Sequence, residues 1–126
     1  MLAALRDEKL GLIDNWLRHV QDVRWKHQAH LDALDNEQHR HDRLCELNVI
    51  EQVVNVSQTT VVRDAWGRGQ SLAVHGWVYD LRDGLLRDLG LGVTATEELA
   101  SRAEAALGES GPTSQFSARA GWRRRC

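Results

Sequence analysis

The feature that most constrains this chain is an eight-residue run, Leu72 to Tyr79, which alternates like a strand yet has no plainly polar side. Leu72, Val74, Gly76 and Val78 share one face; Ala73, His75, Trp77 and Tyr79 share the other, because successive strand side chains point to opposite sides. A strand without a polar face is expected to be covered on both. A charged stretch follows from Asp80, with a turn signal at Asp83-Gly84 and a second short apolar run from Leu85. The pattern predicts one strand or hairpin, about residues 71–90, in a chain that is otherwise mainly α-helical.

Elsewhere the apolar spacing is three and four. Ile13, Trp16, Leu17, Val20, Val23, His27, Leu31 and Leu34 define one helical stripe. Trp25 lies off it and is expected to be exposed or to meet a partner. Asp35-Asn36 breaks the pattern and can cap the next helix, whose stripe is Leu44, Leu47, Ile50, Val53 and Val54. Ser57 or Thr59 can cap a short third helix carrying Val61, Val62, Ala65 and Trp66, stopped near Gly67 and Gly69. Thr94 or Thr96 can cap a last helix, Glu97 to Leu107, whose early Glu97 and Glu98 suit the helix dipole. Beyond it, Ser110-Gly-Pro-Thr-Ser114 is linker-like and Arg119 to Cys126 is small and basic. The expectation is a folded unit over 1–107 and a disordered basic tail over 108–126.

A length of 126 residues bounds the chain to one domain. A net charge of -2 gives no reason to expect nucleic acid or an anionic membrane as a general partner. The apolar runs fall far short of the roughly 18 residues that span a bilayer. Met1 to Leu5 is too short for a signal peptide, and Arg6, Asp7, Glu8 and Lys9 follow at once, so the default expectation is a cytoplasmic protein. Two cysteines, Cys45 and Cys126, make no disulfide framework.

Four segments, Asn48-Val-Ile-Glu-Gln-Val, Ala65-Trp-Gly-Arg-Gly-Gln70, His75-Gly-Trp-Val-Tyr79 and Asp83-Gly-Leu-Leu-Arg-Asp-Leu89, closely resemble the C-terminal half of bacterial β-class carbonic anhydrases. With Leu10-Gly-Leu-Ile-Asp-Asn-Trp-Leu17 upstream, the resemblance covers about residues 10–99. It implies an α/β fold with a parallel sheet and reversible hydration of CO2 to bicarbonate, the carbonate dehydratase (lyase) reaction. It also implies a zinc ion held by two cysteines and a histidine beside an Asp–Arg pair. The ion lowers the pKa of bound water, so hydroxide exists near neutral pH. In the family these residues lie in Cys-x-Asp-x-Arg and His-x-x-Cys motifs upstream of the matched segment, and neither motif occurs in this sequence. The resemblance therefore implies a C-terminal fragment, inactive alone, with no catalytic or metal residue to assign and no cofactor expected in this chain. Its uncovered surfaces would drive homo-oligomerisation or pairing with the missing N-terminal half. The alternative class is a non-catalytic interaction module or a truncated gene remnant. In some bacterial members a tyrosine of the His-Gly-Trp-x-Tyr segment helps bind bicarbonate away from the metal. That position is Tyr79, which can equally be a half-buried strand tyrosine packed on a helix.

Other groupings have plainer readings. His27 and His30 stand at i and i+3, and His39, His41, Asp42 and Cys45 cluster. His41 and Cys45, at i and i+4, could share a helix face, yet a zinc site needs three or four converging ligands; a solvated histidine-rich turn is the expectation. His75 is expected to be packed and hydrogen-bonded, since no nucleophile has a recognisable spacing to it. Of Trp16, Trp25, Trp66 and Trp77, all but Trp25 fall on faces expected to be buried, which favours core packing over a ligand-stacking box. Arg119, Arg123, Arg124 and Arg125 with Trp122 are expected to be solvated.

Overall fold

The computed structural model describes Arg6 and residues 11–108; the expectations for 109–126 lie outside the described residues. A 3-10 turn at Gly11–Ile13 leads into α1 (Asp14–Lys26) and α2 (Gln28–Asp32). The long helix α3 (Glu37–Ser57) and the short α4 (Thr60–Gly67) follow. A hairpin of β1 (Val74–Asp80) and β2 (Leu85–Val93) comes next, then a 3-10 turn at Thr96–Glu98 and α5 (Leu99–Gly108).

The local signals act largely as the sequence predicts. Asn36 caps α3, its Oδ1 accepting from the Gln38 amide at 2.7 Å. A cap of this kind stabilises a helix by about 1 kcal/mol. Helix α4 ends in a glycine-dependent reversal: Gly69 has φ +71°, its amide donates to Trp66 O and the Gln70 amide donates to Ala65 O. Thr59 stands at the N-cap of α4, but its Oγ1 donates to Val56 O and makes no cap bond. Ser57, the other candidate cap, is buried on α3 with no hydrogen-bond partner for its hydroxyl. Before α5, the Glu98 carboxylate accepts from both the amide and the hydroxyl of Thr94. The helix itself starts at Leu99, two residues later than predicted.

The first helical stripe breaks in two. His27 leaves helical geometry at φ -112°, ψ 22° and separates α1 from α2. Its ring is buried and its Nε2 lies 3.1 Å from Glu51 Oε1 on α3. The side-chain contact holds the ring at the joint, so Leu17, Val20 and Val23 of α1 and Leu31 of α2 all reach the same apolar cluster with Leu44 and Leu47. A second cluster joins Ile50 and Val53 of α3 to Leu91, Val93, Leu99 and Ala106, and Leu107 packs against both. Helix α3 is therefore the spine of the unit. Truncating a fully buried leucine on it would cost about 2–5 kcal/mol.

The hairpin is antiparallel. Tyr79 pairs with Leu86, Trp77 with Asp88, Gly76 with Leu91 and Val74 with Val93. Between the Trp77 and Gly76 pairs, β2 carries two extra residues, Leu89 and Gly90, as an irregularity. Gly90 takes φ +69°, which few L-residues adopt readily, and Asp88 Oδ1 accepts from its amide. The alternation of β1 has the predicted phase: Gly76 is buried, Val74 and Val78 half-buried, and His75, Trp77 and Tyr79 exposed. The expectation that both faces are covered does not hold. Helices pack on one side only among the described residues, leaving Trp77 47% and Tyr79 58% exposed, with Leu86 at 56% opposite Tyr79.

Candidate functional site

A groove of about 620 Å³ runs between the first turns of α3 and the hairpin. Gln38, His41, Asp42 and Cys45 form the helix wall; Tyr79, Asp80 and Arg82 form the other. The turn places the guanidinium. The Arg82 amide donates to Asp80 Oδ1 at 2.9 Å, while its Nε and Nη2 donate to the two oxygens of the same carboxylate at 3.0 and 2.8 Å. Nη2 also reaches across to Asp42 Oδ2 at 3.2 Å, tying turn to helix. The hydrogen bonds from the Arg82 side chain, with that from its amide, hold the Asp80 carboxyl down at about 2. Beyond the turn Arg87 forms an ion pair with Asp83.

Asp42 also accepts from Gln38 Nε2 at 2.9 Å, and its Oδ1 lies 3.2 Å from His41 Nδ1. Burial pushes the Asp42 carboxyl up, but the bonds from His41, Gln38 and Arg82 outweigh it, and the net direction is down. His41 Nε2 lies 4.0 Å from Cys45 Sγ. One neutral tautomer serves both contacts: Nδ1–H donates to Asp42, and Nε2 is free to accept from the thiol. Burial pushes the Cys45 thiol up, away from the reactive thiolate.

The sequence-predicted groups are thus sorted. His41, Asp42 and Cys45 do meet. His39 is exposed, and His27 and His30 diverge, the first buried against Glu51 and the second exposed. His75 is not packed in the core as expected. It is exposed and stacks on Trp77, with ring centroids 5.5 Å apart, because both stand on the uncovered sheet face. Nor are three tryptophans buried. Trp66 alone packs on the core, its Nε1 donating to Leu72 O, while Trp16 is 63% exposed. Trp25, off the stripe, is exposed as expected. Tyr79 lies on the groove wall with its side chain largely exposed, rather than packed on a helix. The contribution of Arg82 escaped the sequence reading; the signal for it is the Asp-x-Arg spacing from Asp80, in which a turn amide and a guanidinium serve one carboxylate.

These residues do not fit a zinc ion of the family kind. Among the described residues no three His, Cys, Asp or Glu side chains converge to hold a metal. His41 and Cys45 are two ligands where three or four are needed, and the nearby Asp42 is committed to Arg82, Gln38 and His41. No helix of the described residues is long and apolar enough to cross a membrane.

The described residues are mainly helical, with helices packed on one side of a two-stranded antiparallel hairpin, an arrangement that belongs to an α/β fold. A family profile described as carbonic anhydrase matches residues 1–86. That span starts and ends earlier than the 10–99 expected from the motifs. The chain belongs to the carbonic anhydrase family, and its solved relatives place the region in the β class. It is 44% identical over 89 residues to a carbonic anhydrase of Emericella nidulans, covering 71% of this chain and 39% of that protein. A carbonic anhydrase of Pseudomonas aeruginosa is 36% identical over 77 residues, 61% of this chain and 34% of the other. The Coccomyxa β-carbonic anhydrase solved with acetazolamide superposes with a TM-score of 0.71 at 37% identity, covering 79% of this chain and 45% of that one. One of two tetrameric β-carbonic anhydrases from Sordaria macrospora gives 0.65 at 34% identity, covering 74% and 47%. The chain thus spans less than half the length of each of these relatives.

Proposed function

We propose that these residues form the C-terminal, metal-free part of a β-class carbonic anhydrase, and that reversible CO2 hydration requires a complementary segment carrying the zinc ligands. The observation that carries this reading is a mismatch. The chain matches the family at up to 44% identity, yet its sequence has neither Cys-x-Asp-x-Arg nor His-x-x-Cys. Zinc would supply hydroxide at neutral pH. The residues here would supply the support: α3 as spine, and β1 as a strand that pairs only with β2 among the described residues and can take a further strand on its other edge. The exposed Trp77, Tyr79 and Leu86 favour burial on association. The complementary segment, or a second copy of this chain, is the proposed partner; the tetrameric Sordaria relatives support assembly. Tyr79, which borders the groove with its side chain on the uncovered sheet face, is the residue proposed to contact bicarbonate there, with its remaining contacts from the complementary segment.

The second reading is an interaction module without catalysis, favoured by the same open sheet face. Stopped-flow CO2 hydration with the purified chain and added zinc tests the first part of the proposal. The expected rate is that of buffer; a rate well above it that a chelator abolishes would overturn the reading.

A further inference from the structure

One turn of α3 brings a carboxylate, an imidazole and a thiol into sequence. His41 and Cys45 stand at i and i+4, with Nε2 4.0 Å from Sγ. On the far side of the ring, Nδ1 lies 3.2 Å from Asp42 Oδ1. His41 and Cys45 are half-buried and both border the groove, which gives an ion a way in. We propose that His41 Nε2 and Cys45 Sγ together bind one soft monovalent cation, of the copper(I) kind.

The order of the three groups is the first reason. A metal-ligating histidine donates its other ring N–H to a carboxylate, which fixes the tautomer and turns the free nitrogen's lone pair toward the metal. Asp42 holds Nδ1 in that way, so the lone pair of Nε2 faces the thiol. Gln38 Nε2 and Arg82 Nη2 donate to Asp42 in turn, at 2.9 and 3.2 Å, and fix the carboxylate.

Spacing and ligand count are the second. With bonds of roughly 2.3 Å to sulfur and roughly 2.0 Å to nitrogen, a tetrahedral ion would hold the two atoms about 3.5 Å apart and a linear one about 4.3 Å. The observed 4.0 Å is wider than the tetrahedral spacing and opens the angle toward a line. Among the described residues no third His, Cys, Asp or Glu converges with this pair. Thiolate selects copper(I), an ion that two ligands at a wide angle can satisfy, whereas zinc would be left one or two ligands short.

Charge is the third. On binding, one S–metal and one N–metal bond form, the Cys45 S–H bond breaks, its proton passes to water, and no electron moves. Thiolate, neutral imidazole and a monovalent cation sum to zero. A divalent ion would leave one positive charge on half-buried groups. The neighbouring carboxylates add no net pull, since Asp42 and Asp80 are paired with Arg82, and Glu46 with Arg43. The inference rests on three side chains of one helix and stands whether or not the carbonic anhydrase reading holds.

Competition for copper(I) against a coloured chelator, without oxygen, tests it. Every chain carries Cys126→Ser, so Cys45 is the only thiol. The chain is expected to withdraw one equivalent of copper(I) at any chain concentration, and X-ray absorption at the copper edge should show one sulfur and one nitrogen. Cys45→Ser should abolish uptake. His41→Gln should weaken it more than about tenfold and Asp42→Leu about tenfold, with Asp42→Asn restoring it because the amide oxygen can still accept from Nδ1–H. Equal affinity in His41→Gln, a sulfur-only shell shared between two chains, or displacement of the copper by an equal concentration of zinc would overturn the proposal. The absorption measurement needs no substitution at the site, so it decides even where a variant fails to fold.

Discussion

A Cβ built on Gly76 of β1 would stand 3.3 Å from Val53 Cγ2 on α3, and 3.5 Å from both Val49 Cγ1 and Leu91 Cβ. Helix and strand meet backbone to side chain at this point, and the absent Cβ sets how closely they approach. Gly76 takes no unusual φ, so its role is space rather than backbone freedom. Gly76→Ala is therefore expected to lower stability by about 1–2 kcal/mol through overpacking, with a larger loss for Gly76→Val. Urea unfolding should show the midpoint falling at unchanged slope. An unchanged midpoint would mean that α3 and β1 have slack at this contact.

Glu51 receives two donors, Lys26 Nζ at 2.6 Å and His27 Nε2 at 3.1 Å, both on its Oε1. Burial raises the Glu51 carboxyl, but the bonds from Lys26 and His27 outweigh it and the net direction is down from 4.5. A depressed carboxylate contributes stability above its unfolded pKa and loses it as pH falls through the folded value. Glu51→Gln is expected to cost on the order of 1–2 kcal/mol at pH 7, and the gap to the unaltered chain should close below pH 4.5. Thermal melts from pH 7 to 3 check it; a gap that persists at pH 3 would locate the loss in packing.

Arg82 joins Asp80 to Asp42 across the groove, but its side chain is 60% exposed. Solvent screens such a bridge, so a double-mutant cycle between Arg82→Ala and Asp42→Ala should give near-additive losses of stability. A strongly non-additive cycle would mark the turn as structurally essential.

The open sheet face predicts association. Trp77, Tyr79 and Leu86 are each about half exposed on adjacent strands of one face. Trp77→Lys with Leu86→Lys should shift the chain toward monomer in light scattering while the far-ultraviolet spectrum is retained. An unchanged mass would move the contact elsewhere.

Helix identity was legible because Leu44, Leu47, Ile50 and Val53 keep their spacing and Asn36 caps where the pattern breaks. The phase of β1 was legible for the same reason. The full length of β2 was not: the irregularity at Leu89-Gly90 interrupts alternation, so a nine-residue strand reads as a short apolar run. The break at His27 was hidden because His27 falls on the helical stripe, and only its contact with Glu51, 24 residues away, turns it into a joint. Coverage of the second sheet face depends on which elements pack there, and periodicity within a strand carries no record of that. In the groove, His41 and Cys45 were visible by helix spacing. Arg82 was not, because its partner Asp42 lies 40 residues earlier.

The central claim, that this chain supplies support and a complementary segment supplies the metal, is tested most directly by recombination. The part of the Emericella relative that this chain does not match can be expressed separately, since the match covers 39% of that protein. Mixing it with this chain and zinc is expected to give a stable complex and chelator-sensitive CO2 hydration that neither part shows alone. Hydration by this chain alone, with one tightly held zinc ion per polypeptide, would contradict the account.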